Sequence, residues 1–414
     1  MNILHINQSD TLGGAAIAGY RLHQGLLKQD INSHLLVGTS TINDSHIDRI
    51  GSYTLFDKLL LQITNRVGLN GTGFISSFQT TGHSFFQKAD VLNFHNLHGY
   101  FNYLAIPKLT RDKPAVFTLH DMWTLTGHCT YSYDCTRWQN CCGQCPYPNV
   151  HPPIQRDNTH MEWKLKDWVY KRSNITVVAP SRWLAELARQ SMLNRFPIYH
   201  IPYGLDLNVY QPLGKKQCRA TLGIPGHKKI LMFGAADIKD YRKGGDLLLK
   251  ALRNLPSGLK SDTLLLTFGS KSEQFGTAAS IPTLHLGYIS SDHMKATAYS
   301  AADLFILPTR ADNLPIVLQE SMACGTPMVA FNVGGVSDLV RPEVTGYLAE
   351  PENDKALCEG IVQLLEDDQL REKMSQNCRS ITVDQFSLEL QVKKYVQIYQ
   401  QVLEPSDNFI LTTT

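Results

Sequence analysis

The sequence predicts an α/β protein made of two doubly wound domains, each a parallel sheet covered by helices. Three observations carry this. The chain has 414 residues, too many for one ordinary core and enough for two domains of about 200 residues each. Short apolar runs alternate with helical patterns along nearly its whole length, which implies parallel strands with helical crossovers. That alternation is interrupted once, by the turn-rich stretch 209–229 (VYQPLGKKQCRATLGIPGHKK), and then restarts.

In the first half, NILHIN reads as a strand, a Gly-rich turn follows, AIAGYRLHQGLLKQ has helical periodicity, and SHLLVG is again a strand. ADVLNFHN and PAVFTLHD are short apolar runs ending in polar residues, and ITVVAPS leads through a turn into the helix RWLAELARQSML. In the second half, KILMFGA, DTLLLTFGS, TLHLGYIS, DLFILPT and TPMVAFN read as strands, with helices at GGDLLLKALRNL and from Pro315 to Cys324. SLELQVKKYVQIYQQVLE is a long helix with no strand after it, as expected of a helix that crosses back to brace the first domain. The expected division is therefore 1–205, with a Cys-rich insert at 128–150, then 206–385, a crossover helix at 386–404, and a frayed tail at 405–414.

Composition narrows the function. A hydrophobic content of 43% and a charged content of 18% are those of a globular protein, with no apolar run of membrane-spanning length. The strand-like start argues against a leader peptide, so a cytoplasmic location is expected. The net charge of +2 hides an asymmetry, because residues 1–200 carry 18 Lys/Arg against 13 Asp/Glu and the remainder 21 against 24. A mildly basic first half suits anionic headgroups or a phosphorylated acceptor, and a solvated basic face explains it equally well. No basic run interleaved with aromatics points to nucleic acid.

Ligands of open parallel sheets bind beyond the carboxyl ends of the strands, and the chemically suggestive motifs fall there. Gly13-Gly14-Ala15-Ala16 opens a helix after the first strand, so backbone amides at a positive helix end can approach an anion; a tight turn would need the glycines anyway. Tyr241-Arg242-Lys243-Gly244-Gly245 sets two cations beside a turn, suited to a diphosphate or simply solvated. The run Asp312 to Pro327 holds two carboxylates, Asp312 and Glu320, separated by roughly 12 Å if the whole stretch is helical. That spacing fits two parts of one extended ligand, sugar near Asp312 and ribose near Glu320, against the alternative of an acidic cap plus an unrelated carboxylate.

Taken together, the acidic-x7-Glu run followed by SMACGTPMVAFNVGG, the RKG turn, APS at 179–181, IPYGLD at 201–206, TLHD at 118–121 and the early GGAA resemble the family-4 glycosyltransferases of GT-B fold. The likeness extends over nearly the whole chain. It implies two Rossmann-like domains facing across a cleft, and retaining, metal-independent transfer from a UDP- or GDP-linked sugar to a saccharide acceptor. By motif match Lys243 and Arg242 bind the diphosphate and Glu320 the ribose. Asp312, with the amides of Asn313, Leu314, Pro315 and Ile316, meets the sugar and phosphates. His120 contacts the sugar from across the cleft, Gly13 and Gly14 approach the phosphates, and Gly287 and Tyr288 flank the base. Two positions depart from the family pattern: its first acidic residue, more often Glu, is Asp312, and its usual Arg after Gly234 is Ala235.

Cleaving a sugar–phosphate bond develops negative charge on the leaving diphosphate, which fixed cations and helix-end amides stabilise where it appears. No cofactor is then required for catalysis. Same-face attack is expected, with Asp121 either an acceptor-side base or a structural cap beside His120. Five of nine cysteines lie between 129 and 145. Cys129, Cys135, Cys142 and Cys145 have the spacing C-x5-C-x6-C-x2-C, open to a structural zinc, to reduced packing thiols or to disulfides. A similar HDMW…TGHC…CGxCP segment occurs in bacterial enzymes of this family that assemble exopolysaccharide (colanic acid) and lipopolysaccharide, which implies a lipid-linked acceptor and peripheral contact with the inner face of the plasma membrane. Twelve of fifteen histidines lie in the first 200 residues, yet no acidic partners at metal-ligand spacing accompany them. Two other readings fit the fold: a sugar-nucleotide epimerase, which would convert free donor without acceptor, and a non-catalytic saccharide-binding module, which would bind glycan regardless of nucleotide.

Overall fold

The computed structural model describes residues 1–51, 54–237, 240–270 and 278–404; the expected tail at 405–414 lies outside them. The chain divides into two units, Met1–Ile201 with Gln391–Thr414, and Pro202–Leu390. Each is built on a wholly parallel sheet, as the alternation of strand and helix requires.

Unit 1 holds β1 (Asn2–Ser9), β2 (Asn32–Thr39), β3 (Ile47–Arg49), β4 (Val91–Phe94), β5 (Ala115–Thr118), β6 (Ile175–Ala179) and β7 (Ile198–His200), in the sheet order 3-2-1-4-5-6-7. One face of the central strands is apolar: Leu4, Ile6, Leu92, Phe94, Phe117 and Leu119 enter a single core cluster with Tyr103, Trp123 and Leu184. The C-terminal helix Leu388–Leu403 packs on the other face, where Tyr395 meets the Thr118 hydroxyl at 3.0 Å and the Tyr399 hydroxyl accepts from Asn93 at 2.7 Å. This helix serves the unit that the chain left some 190 residues earlier, as its lack of a following strand suggested.

Unit 2 holds β8 (Lys229–Asp237), β9 (Thr263–Ser270), β10 (Thr283–His285), β11 (Leu304–Leu307), β12 (Met328–Phe331) and β13 (Gly346–Ala349), in the order 10-9-8-11-12-13. Its core gathers Leu231, Phe233, Leu248, Leu265, Ile306, Val329 and Ile361. Gly234 sits where a Cβ would lie 2.0 Å from the Phe268 ring, so the strand pair β8–β9 needs glycine there.

Two sequence expectations are corrected. The stretch 209–229 is not a free linker: Lys215–Thr221 is helical, and Arg219, buried, donates to Asp303 at 2.8 Å and to the carbonyls of Ala301, Gly226 and Lys228. A buried guanidinium with all these partners ties the stretch into unit 2, and the units meet at Ile201/Pro202 instead. The helix read from Pro315 starts at Ile316, with Pro315 itself extended (φ −63°, ψ 115°). A proline also keeps the residue before it out of the helical region, so Asp312 lies in a loop and helical rise does not set its distance from Glu320. Strands β3, β7 and β13, each at a sheet edge, went unread.

Candidate functional site

The carboxyl ends of β8 and β11 bring the predicted cations and the first carboxylate of unit 2 together. After β8 the chain makes a turn at Tyr241–Lys243 that is capped by the Asp240 carboxylate, which accepts from the amide of Arg242 at 2.9 Å. Gly244 follows in the left-handed region (φ 70°) and starts the helix Gly245–Arg253. A Cβ at Gly244 would lie 1.7 Å from the Pro308 carbonyl oxygen, so no other residue lets the turn approach the end of β11 this closely.

Within this turn Lys243 Nζ donates to Asp312 Oδ2 at 2.5 Å, and Arg242 Nη1 reaches the same oxygen at 3.3 Å and the Ala311 carbonyl at 2.9 Å. Asp312 is buried. Burial alone would raise its pKa, but Lys243, Arg242 and the Asn313 amide outweigh that and hold the carboxyl below its ordinary range. Desolvation and the neighbouring Arg242 lower the pKa of Lys243, while Asp312 opposes them. The two side chains expected on different parts of a ligand thus form one ion cluster. The loop after β12 closes on it: Gly334 has φ 53°, a Cβ there would meet the Asp312 carbonyl oxygen at 2.0 Å, and the Gly335 amide donates to that oxygen at 3.2 Å.

Sequence reading missed the residue that locks this turn. Arg310 clamps Asp246 bidentately at 2.8 and 2.7 Å, donates to Glu352 at 3.1 Å and to the Tyr241 carbonyl at 2.7 Å, and stacks on the Tyr241 ring at 3.8 Å. Its own amide and the Thr309 hydroxyl both donate to the Arg242 carbonyl. The available signal was a lone arginine, in PTRAD, just past a strand end. Ala235, where the family pattern has arginine, is buried, and its carbonyl occupies the space a Cβ on Gly269 would take.

Glu320 is buried on the helix Ile316–Ala323, away from the ion cluster's turn in sequence and chemistry. Tyr299 donates to its Oε2 at 3.1 Å, and the Tyr210 hydroxyl lies 3.0 Å from Oε1 and 2.8 Å from Asp292 Oδ1. The carboxylate expected to meet ribose is therefore already held by two tyrosines. Asn313 and Leu314 are buried beside Asp312. Gly287 has φ 64°, and the Tyr288 ring beside it is exposed.

In unit 1, Gly13 caps the helix Gly14–Leu27 with φ 93° and ψ 163°, a conformation only glycine adopts freely, and leaves open space over the helix end. Asp10, unread in the sequence, braces this loop. Fully buried, it accepts from the amides of Thr11, Thr41 and Ile42 and from the Thr41 hydroxyl. Burial would raise its pKa, yet these donors hold it down to about 2. His120 is buried just beyond β5, its pKa lowered to about 4 by burial, with Asp121 opposing. Asp121 accepts from the Trp123 amide at 2.8 Å and lies 3.6 Å from His98, so it caps its own turn.

Cys129, Cys135, Cys142 and Cys145 line one small pocket with His128 and Trp138, all five cluster cysteines being free thiols. His128 Nε2 lies 3.1 Å from Cys145 Sγ, and the Gly127 amide donates to Cys142 Sγ at 3.2 Å. Burial raises the pKa of Cys129 to about 12 and that of Cys142 to about 11. Among the described residues, no group of three or more His, Cys, Asp or Glu side chains is disposed to hold a metal ion.

Two parallel sheets with helices give the fold, and by the family matches that follow the chain is a glycosyltransferase and belongs to the family-4 glycosyltransferases of GT-B fold. Residues 12–209 match the family described as "Glycosyltransferase Family 4", and residues 215–381 that described as "Glycosyl transferases group 1". The chain is similar to a protein of Escherichia coli (strain K12) named as a colanic acid biosynthesis glycosyl transferase, with 26% identity over 376 residues, 85% of this chain and 88% of that one. It is 27% identical over 210 residues to the N-acetyl-alpha-D-glucosaminyl L-malate synthase of Bacillus anthracis, 49% of this chain and 54% of that one. Among solved structures it resembles sucrose-phosphate synthase from Thermosynechococcus elongatus (TM-score 0.71, 19% identity, 97% of this chain and 99% of that one). The Anabaena protein HepE in complex with UDP and glucose is similarly alike in fold (TM-score 0.69, 17% identity, 97% and 100%).

Proposed function

We propose that this glycosyltransferase moves a sugar, with retention, from a UDP- or GDP-linked donor to a lipid-linked saccharide during polysaccharide or lipopolysaccharide assembly. The observation that carries the donor part is the cluster of Arg242, Lys243 and Asp312 at the ends of β8 and β11, locked by Gly244 and Arg310. A diphosphate competes with Asp312 for Lys243, and the charge that grows on the leaving phosphate is met by cations already fixed in place. Released from Lys243, Asp312 is free to accept from a sugar hydroxyl, its shorter side chain suiting the tighter cluster. The amides of 313–316 and of Gly13 and Gly14 add donors for phosphate oxygens; Glu320, steadied by its tyrosines, takes the ribose, and Gly287 and Tyr288 flank the base. In this reading His120 donates to a sugar hydroxyl and no metal takes part in the transfer. UDP and glucose in the Anabaena structure, and the colanic acid label of the Escherichia coli relative, support the donor class and the pathway type.

The acceptor reading draws on the surface of unit 1. The helix Leu55–Arg66 exposes Leu55, Phe56, Leu59 and Ile63 with Lys58 and Arg66 among them, and no helix among the described residues is long and apolar enough to cross a membrane. Such a face suits shallow insertion into an anionic leaflet, where a lipid-linked acceptor would be met. Thermal-shift screening with UDP, GDP and ADP, followed by their sugars, identifies the base; transfer by Lys243→Ala near the wild-type rate would sink the clamp assignment.

A further inference from the structure

Parallel strands covered on both faces ordinarily carry aliphatic side chains. In unit 1 the face of the central sheet opposite the apolar core instead bears a buried polar stripe, running through His5, Asn7, Asn93, His95, Thr118 and His120. Three of these form a continuous row. His5 Nδ1 lies 2.9 Å from His95 Nε2, and His95 Nδ1 lies 2.9 Å from His120 Nε2. Successive rings stack at 5.2 Å with 28° between planes. The helix Gly14–Leu27 covers the row through Gly19, where a Cβ would sit 2.9 Å from Asn7 Nδ2 and 3.4 Å from His95.

Buried imidazoles in such a place cost desolvation that a valine would not, and each ring nitrogen in the row must be donor or acceptor in turn. The far end decides the order. His5 Nε2 is buried with no hydrogen-bond partner among the described residues, and an orphaned lone pair is more tolerable there than an orphaned N–H. His5 therefore carries its proton on Nδ1 and donates to His95 Nε2. His95 then carries its proton on Nδ1 and donates to His120 Nε2. That leaves His120 Nδ1 as the protonated nitrogen, the ring's one donor. Burial holds His5 and His95 well below the ordinary histidine range and His120 at about 4, so all three are neutral near pH 7.

We propose that His5 and His95 are positioning residues that fix the tautomer of His120, making it an obligatory N–H donor that can bond an oxygen of the sugar but cannot take a proton from it. This rests on the reading above that His120 serves the sugar.

Imidazole 15N spectra of the full chain test the relay apart from activity, with His95→Phe to remove the donor and His95→Asn to keep one, since an asparagine amide nitrogen stands in for Nδ1. The relay predicts His120 as the Nδ1–H tautomer in the wild type and in His95→Asn, and a mixture or the Nε2–H form in His95→Phe. Donor kcat/KM should fall about tenfold in His95→Phe, with most of the loss in KM, and return to within about threefold in His95→Asn. If His95→Phe does not give folded protein, as judged by thermal unfolding, His5→Phe is scored by the same spectra and kinetics. A wild-type His120 on Nε2–H, or a tautomer unmoved in a folded variant, overturns the relay. A tautomer that moves while donor kinetics stay level upholds the relay and overturns the role of His120 at the sugar.

Discussion

At the residue scale, the central feature is a buried carboxylate shared by two cations. Asp312→Asn leaves Lys243 and Arg242 without their counter-ion, and breaking a buried pair typically costs about 3 kcal/mol. Yet the freed cations should bind a bare nucleoside diphosphate at least as tightly as before, while transfer falls about 100-fold or more; calorimetry and a transfer assay read the two effects separately. Asp10 gives a pH signature. Its folded pKa of about 2 lies below the unfolded 3.8, so its contribution is complete above pH about 4 and is lost as pH falls from there toward 2. The shift amounts to about 2 kcal/mol. Asp10→Asn should be less stable than wild type by that amount at pH 6, with the gap closing in urea titrations near pH 2. Lys243 and Asp312 stood out in the sequence because they follow strand ends, and Glu320 because it closes the acidic-x7-Glu run on the helix Ile316–Ala323. Arg310, Asp10 and the tyrosines holding Glu320 were not, because their importance comes from partners far away in sequence: Asp246, the Thr41 and Ile42 amides, and Tyr210.

At the element scale, the strands that could be read were those lying within longer apolar runs, β1, β8 and β9 most clearly, and even the three-residue β10 through its run TLHLGYIS. Strands β3, β7 and β13 each stand at a sheet edge and include residues that are not buried, so their sequences lack a continuous apolar signal. The turn before the helix Gly245–Arg253 was placed correctly, but its reason, the approach to Pro308, is tertiary. Gly244→Ala must accommodate both φ 70° and a contact at 1.7 Å. It should lose about 3 kcal/mol or more in denaturant unfolding, and donor binding with it. The helix Leu55–Arg66 makes a separate prediction: Leu55→Glu with Phe56→Glu should abolish sedimentation with anionic vesicles and leave thermal stability within about 0.5 kcal/mol, as these side chains are exposed.

At the scale of the whole molecule, two parallel sheets, one break in the alternation and a returning terminal helix were all written in the periodicity, and motif order supplied the family. The break itself was misplaced because Pro, Gly and Lys made 209–229 look like a linker, while the buried Arg219 network that anchors it left no local pattern. Whether Cys129, Cys135, Cys142 and Cys145 hold the structural zinc that their spacing leaves open is decided by elemental analysis of the purified chain, about one zinc per molecule supporting it and none removing it. The most direct test of the account is titration of UDP and GDP into the wild type and into Lys243→Ala. One nucleotide should bind the wild type, with Kd raised at least about tenfold in the variant, equivalent to about 1.4 kcal/mol. Equal affinities in the two proteins, or no binding of either nucleotide to the wild type, would contradict it.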